Sequence, residues 1–395
     1  NGSVMAWGHP AAGGDCPQQG LASGVQQLCS SSLAYAALKD DGSVVVWGSP
    51  QAGGDCNVVQ NQLASGVRRI FSCSAAFVAL KGDGSVVAWG YGNCGGDCSS
   101  VQEQLDSGVQ EIYHTFTSFA AVKVDGSVVT WGLADAGGDS SAVCKQLGAG
   151  VQRIASTQNA FAALKQDGSV VTWGNGANGG DSCAVQDQLC SDVRFVYSNN
   201  CAFAAVKGSG SVVTWGVAAA GGQSFSVREQ LLDVQCIYNT PAAFAALKGD
   251  GSVVTWGRQD AGADSSEVQT QLTGGVRRIS CGMRAFAAEK DDGSVVVWGH
   301  PRFGGDCKEV REQLTSGVRQ VCAAQMAFAA LKDDGSVVTW GSREVGGDSS
   351  SVRKQLSGGV RHIVCTFGAF AATKDDGSII AWGSDDFGGT GPRVA

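Results

Sequence analysis

The chain is expected to be all-β, an array of small twisted antiparallel sheets stacked side by side along one continuous repeat. Three observations carry this. Tryptophan marks the period: Trp7, Trp47, Trp89, Trp131, Trp173, Trp215, Trp256, Trp298, Trp340 and Trp382 follow one another at intervals of 40–42 residues, and each is followed by Gly. Glycine, 58 residues against six prolines, supplies many tight turns and few rigid linkers. A self-similar period of this length leaves no room for crossover helices. It places residues 1–395 in a single repeat domain, where length alone would suggest two or three.

The elements follow in order within one unit. "VQRIA" (151–155) reads as a first, half-polar strand, and "FAALK" (161–165) as a second whose alanines permit close approach of a neighbouring sheet. Asp167-Gly168 is the strongest short hairpin signal in the unit and predicts a type I′ turn, which needs positive φ at both central residues. "SVVTWG", as at 127–132, is β-branched and aromatic on both alternating faces, the pattern of a strand buried on two sides. After Trp-Gly come about four irregular residues, then Gly-Gly-Asp, then a segment such as "SSAVCKQL" (140–147). Its leading Ser and the Val143–Leu147 spacing fit one or two helical turns, and a fourth short strand fits nearly as well.

A sheet of three or four short strands cannot bury both faces alone, so neighbours must stack with each Trp as the large filler between them. A buried Trp covers about 150–250 Å², which at roughly 25 cal/mol per Å² is on the order of 4–6 kcal/mol before entropy, an upper bound. The ten tryptophans and the recurring Asp-Gly are therefore assigned to structure. The lysines that recur once per repeat, from Lys39 to Lys374, are expected to form a solvated rim of weak ion pairs with the turn aspartates.

Composition narrows the function. The formal net charge is −8 and no Lys/Arg run is present, so no basic field attracts nucleic acid, and direct nucleic-acid binding is not expected. No apolar run is long enough to span a bilayer; the chain opens on Asn1, which leaves upstream targeting information and the compartment open. The four histidines (His9, His114, His300, His362) are scattered and the 15 cysteines lack knuckle spacing, which argues against zinc and favours buried free thiols. No cofactor is implied. Nucleophile elbows, phosphate loops and His-Glu-x-x-His are absent, and Asp recurs in turns rather than as a singular pair, so the chain is not expected to be an enzyme. A lectin-like binder with one site per blade would repeat its loop residues, and these do not repeat.

The repeats disagree in two loops, the one before the "FAALK" strand and the one after Trp-Gly, which in an antiparallel meander leave from the same edge. That edge gathers Tyr91, Phe116, Arg258, Met283, Arg284, His300, Arg302, Phe303, Arg343, Phe367 and Phe387. Aromatic, Met and Arg side chains are enriched at the centres of protein interfaces, so this edge is the candidate partner-binding surface.

The pattern "FAALKxDGSVVTWG…GGD…V" resembles the repeat of the regulator of chromosome condensation family. Its 42-residue length and "QL.SGV" link are similar to those of the propeller-type β-lactamase inhibitor proteins. The resemblance covers essentially the whole chain and implies a β-propeller-type array. Nine "FAALK"-type and ten Trp-Gly strands give about nine to ten blades of three to four strands, against the family's usual seven, in an enlarged ring or an open spiral. The family includes exchange factors for a small GTPase, chromatin binders, ubiquitin-ligase modules and enzyme inhibitors. The reading is a non-catalytic protein–protein interaction scaffold, an accessory subunit of a larger complex. The alternative is a regulatory propeller acting on a small GTPase or in a ubiquitin-ligase assembly.

Overall fold

The computed structural model describes residues 2–4, 6, 13–17 and 20–390. Trp7 lies outside them. The described strands form nine three-stranded antiparallel sheets, each in sequence order. They span residues 25–48, 67–90, 109–132, 151–174, 193–216, 234–257, 276–299, 318–341 and 360–383, here sheets one to nine. The chain divides into two compact units, Asn1–Cys201 and Ala202–Ala395. Sheets one to four lie in the first unit and sheets six to nine in the second.

The fourth sheet shows how a unit is built. Its strands are Val151–Ser156, Ala160–Lys165 and Val170–Gly174. Phe161 pairs with Trp173 across the second and third strands, and the two rings stack with centroids 5.1 Å apart. The segment after Gly-Gly-Asp resolves the sequence ambiguity in favour of helical geometry: Ser141–Val143 is a 3-10 turn. No fourth strand joins the sheet.

Consecutive sheets bury each other. In the first unit Ala120 and Val122 of sheet three pack with Leu147 and with Ile154, Phe161, Ala163, Val171 and Trp173 of sheet four. In the second unit Ala243, Ala245 and Leu247 of sheet six pack with Leu272 and with Ile279, Phe286, Ala288 and Trp298 of sheet seven. All nine described repeat tryptophans, from Trp47 to Trp382, are buried. The indole also does more than fill space. Trp173 Nε1 donates to the Gly137 carbonyl at 3.0 Å, and Trp298 Nε1 to Gly262 at 3.0 Å, so each indole pins the loop of the preceding repeat. Gly137 sits at φ +94°, and a Cβ there would come 2.5 Å from the Phe161 ring. The first Gly of Gly-Gly-Asp is thus fixed by both backbone conformation and contact.

Two sequence expectations are corrected. The Asp-Gly turn is not type I′: in sheet one the Gly42 N–H donates to Lys39 O at 3.0 Å and Lys39 N–H to Ser43 O at 2.9 Å. Gly42 has positive φ, whereas Asp41 does not. This is a type I turn closed by a left-handed Gly. Asp41 Oδ1 accepts from the Ser43 N–H (2.9 Å) and hydroxyl (2.6 Å), which explains the Asp-Gly-Ser triplet. The Gly42 carbonyl then accepts from Val67 N–H of the next sheet at 3.0 Å. The lysines do not form an ionic rim either. Lys165 Nζ donates to the Gln146 carbonyl at 2.8 Å, and Lys81, Lys123, Lys290, Lys332 and Lys374 make the equivalent bond. A cation at the last carbonyls of a helical turn is the more favourable partner. Lys248, at 3.9 Å from Asp250, keeps an ion pair of the expected kind.

Candidate protein-interaction surface

Each sheet carries its two variable loops on one edge, and a recurring bond ties them together. Thr115 Oγ1 donates to Ala136 O at 3.1 Å, Thr157 Oγ1 to Asn178 O at 3.1 Å, Thr240 Oγ1 to Ala261 O at 2.9 Å and Thr366 Oγ1 to Phe387 O at 3.0 Å. A second bond, such as Leu133 N–H to Thr117 O at 3.1 Å or His300 N–H to Arg284 O at 2.9 Å, closes the same pair of loops. The Asp-Gly turns lie at the opposite edge of the sheet.

Neighbouring loops are also tied from sheet to sheet. In the first unit the Ser32 N–H donates to Ser74 O, Ser74 to Phe116, Phe116 to Gln158 and Gln158 to Asn200, all at 2.9–3.1 Å. In the second unit Met283 donates to Gln325 at 2.7 Å and Gln325 to Phe367 at 3.1 Å. Within each unit these residues, one from each of sheets one to five and one from each of sheets seven to nine, thus stand in a row joined through the main chain. Phe116, Met283 and Phe367 are the large apolar members, and Phe116 and Phe367 are 56% and 55% exposed.

The second unit brings several of the singled-out residues together. Arg284 lies over the Phe303 ring at 5.0 Å, within cation–π range. His300 meets the same ring edge-on at 5.1 Å. The His300 Nδ1 accepts from the Arg302 N–H at 3.2 Å, which leaves Nε2 to carry the proton of the neutral ring. Arg284 Nη1 reaches Asp260 Oδ2 at 3.3 Å, and Arg258 grips the same carboxylate through Nε and Nη2. The Arg258 hydrogen bonds and nearby charges hold the Asp260 carboxyl below its ordinary value. Arg258, Arg284, His300, Arg302 and Phe303 thus form one cationic and aromatic patch on sheets six and seven. Phe367 and Phe387 stack with centroids 5.1 Å apart on sheet nine. Arg343 is exposed at the start of the 3-10 turn Arg343–Val345 on sheet eight. In the first unit Tyr91 is exposed after Trp89-Gly90, and Phe116 stands in the row described above.

Sequence reasoning missed Asp260, which organises two of the arginines, and the exposed Leu33 and Leu133 on the same edge. Leu133 occupies the register of Tyr91, Arg258 and His300, one place after Trp-Gly, so aligning the repeats would have exposed it. Phe225 was also missed; it is 76% exposed and lies in the 3-10 segment Phe225–Gln230, outside the two variable loops. Among the described residues no group of three or more His, Cys, Asp or Glu side chains is placed to hold a metal ion. No helix among them is long and apolar enough to cross a membrane.

No family model matches the chain, and no curated protein does. Solved structures do. The CRINKLY WD40 ectodomain of the Arabidopsis thaliana receptor kinase ACR4 is 15% identical, with 68% of this chain and 93% of that chain covered and a TM-score of 0.34. Prp20p of Saccharomyces cerevisiae, described with its binding properties to Gsp1p and histones, is 17% identical over 73% of this chain and 74% of that one, at a TM-score of 0.38. A structure of Kap60 bound to yeast RCC1 (Prp20) is matched at 18% identity, 66% and 79% coverage and a TM-score of 0.38. These likenesses are distant. Among the described residues the chain itself forms an all-β repeat of nine three-stranded antiparallel sheets.

Proposed function

We propose that the chain is a non-catalytic protein–protein interaction scaffold, an accessory subunit that docks one or more protein partners through the variable loop edge. One observation carries the reading. The apolar side chains that recur in every repeat are spent on stacking the sheets, while large side chains that differ between repeats, among them Tyr91, Phe116, Met283, Arg302, Phe367 and Phe387, stand exposed on loops whose main chain is hydrogen-bonded in place. Aromatic rings, and arginines already held as Arg258 and Arg284 are by Asp260, lose less conformational entropy on binding than free side chains do, which favours a docking surface.

The test is affinity capture from the native source, with wild-type bait beside an Arg302→Ala, Phe303→Ala double variant. Asp333→Ala, on the opposite edge, serves as the control. Loss of a hot-spot pair is expected to reduce recovery of at least one partner by about tenfold or more, while the control matches wild type. An unchanged set of partners in the double variant removes the patch of sheets six and seven from the docking surface.

A further inference from the structure

Within the second unit the first strands of sheets eight and nine, Val318–Ala323 and Val360–Cys365, run close enough for their side chains to meet. Cys322 and Cys365 are in direct contact, with Sγ atoms 3.0 Å apart. Cys365 Sγ is also 3.2 Å from the Ala323 carbonyl. That placement belongs to the repeat. Ser72 Oγ reaches the Ser30 carbonyl at 2.8 Å, and Ser198 Oγ the Ser156 carbonyl at 2.7 Å, from the same position. The last residue of each of these strands thus turns toward the strand before it. The equivalent pairs elsewhere are Cys29 with Ser72, Phe71 with His114, Tyr113 with Ser156, Ala155 with Ser198, Tyr197 with Asn239, Tyr238 with Cys281 and Ser280 with Ala323. Cys322 and Cys365 alone place sulfur at both positions. Both residues are half-buried.

We propose that Cys322 and Cys365 form a redox-modification site, a reversible disulfide that ties sheet nine to sheet eight. A low-molecular-weight disulfide such as oxidised glutathione is the oxidant. One cysteine thiolate attacks it, forming a mixed disulfide and releasing one glutathione thiolate. The other cysteine, as thiolate, then attacks the protein sulfur of that mixed disulfide and releases the second. The two protein thiols lose two electrons and two protons in all, and one disulfide is reduced to two glutathione thiols. Closing the sulfurs to bond length, roughly 2.05 Å, takes about 1 Å of movement. The bond would form three residues before Gln325 and two before Phe367, whose main chains are already joined at 3.1 Å. Oxidation therefore adds a covalent tie to an existing hydrogen-bonded one.

The test equilibrates the full chain in mixtures of reduced and oxidised glutathione, followed by alkylation, proteolysis and mass spectrometry under non-reducing conditions. A peptide pair joining Cys322 to Cys365 should rise with oxidised glutathione and vanish again on reduction. It should be absent from Cys322→Ser and Cys365→Ser. Hydrogen exchange on the same wild-type samples should show residues 360–383 exchanging several-fold more slowly in the oxidised form. Wild-type protein of unchanged circular dichroism whose two cysteines appear free or separately glutathionylated at every ratio overturns the site. Because that reading is made on wild-type protein, it holds even if a serine variant fails to fold. A joined pair with unchanged exchange overturns its role as a tie.

Discussion

Gly137 places three demands on one residue: a left-handed φ, a carbonyl for the Trp173 indole, and a flat approach to the Phe161 ring. Gly137→Ala keeps the carbonyl but meets neither of the other two without movement. It is expected to lower stability by about 2–4 kcal/mol, the sum of left-handed strain and overpacking, read by chemical denaturation. Glu289, unlike Gly137, is singular: it is a carboxylate where most repeats place Leu or Val, and it is 2% exposed. It accepts from the Val321 N–H of the next sheet at 3.1 Å and has Arg277 at 3.7 Å. Burial nevertheless outweighs that bond and the Arg277 and Arg278 charges, and raises its carboxyl above the ordinary Glu value. A folded-state value above the unfolded one means that the proton stabilises the fold. That contribution is complete below the unfolded value and is lost as pH rises through the folded one. Glu289→Gln should therefore match wild type in acid and melt higher at neutral pH. Equal melting temperatures across the range would contradict the burial argument.

At the scale of the element, the three strands and their hairpin were legible because β-branched, aromatic and Asp-Gly signals are local. The turn type was not. Asp-Gly suits a type I′ turn in isolation, but here the Gly carbonyl must meet the next sheet, as Gly126 O meets Val151 N–H at 3.0 Å, and that requirement is set by stacking. The lysines were misread for the same reason: the Gln carbonyl that Lys165 reaches lies 19 residues earlier and is brought near only by the fold. The turn aspartates, among them Asp125, Asp167 and Asp334, are held below the ordinary Asp value by the Ser hydroxyl and N–H that they accept. Their stabilisation is present above the unfolded value and is lost as pH falls through the folded one. Asp167→Asn should accordingly shrink the loss of melting temperature between neutral pH and pH below the ordinary Asp range. The repeat itself offers a stabilising change. Asp192 has φ +65° at the register where Gly150 and Gly275 have +75° and +73°. Asp192→Gly should gain about 0.5–1 kcal/mol by removing left-handed strain, and a loss of stability would assign Asp192 a native contact.

For the whole molecule, the period predicted the nine described sheets and the division between repeated core and variable edge. Which variable residues would meet was not legible, because contact depends on loops that converge only in the folded sheet. Phe303 and Phe387 illustrate this. They stand at the register of the buried Ala52, Ala136 and Ala261, where a ring is too large to tuck in, and they emerge beside Arg284 and Phe367. The claim that this edge is the docking surface is tested most directly by hydroxyl-radical footprinting of the chain, free and in its native complex. The account predicts protection of Met283, Phe303, Phe367 and Phe387, with the exposed Phe225 and Val58 equally reactive in both states. Protection confined to Phe225, Val58 and the residues beside them, with the loop-edge residues unchanged, would contradict it.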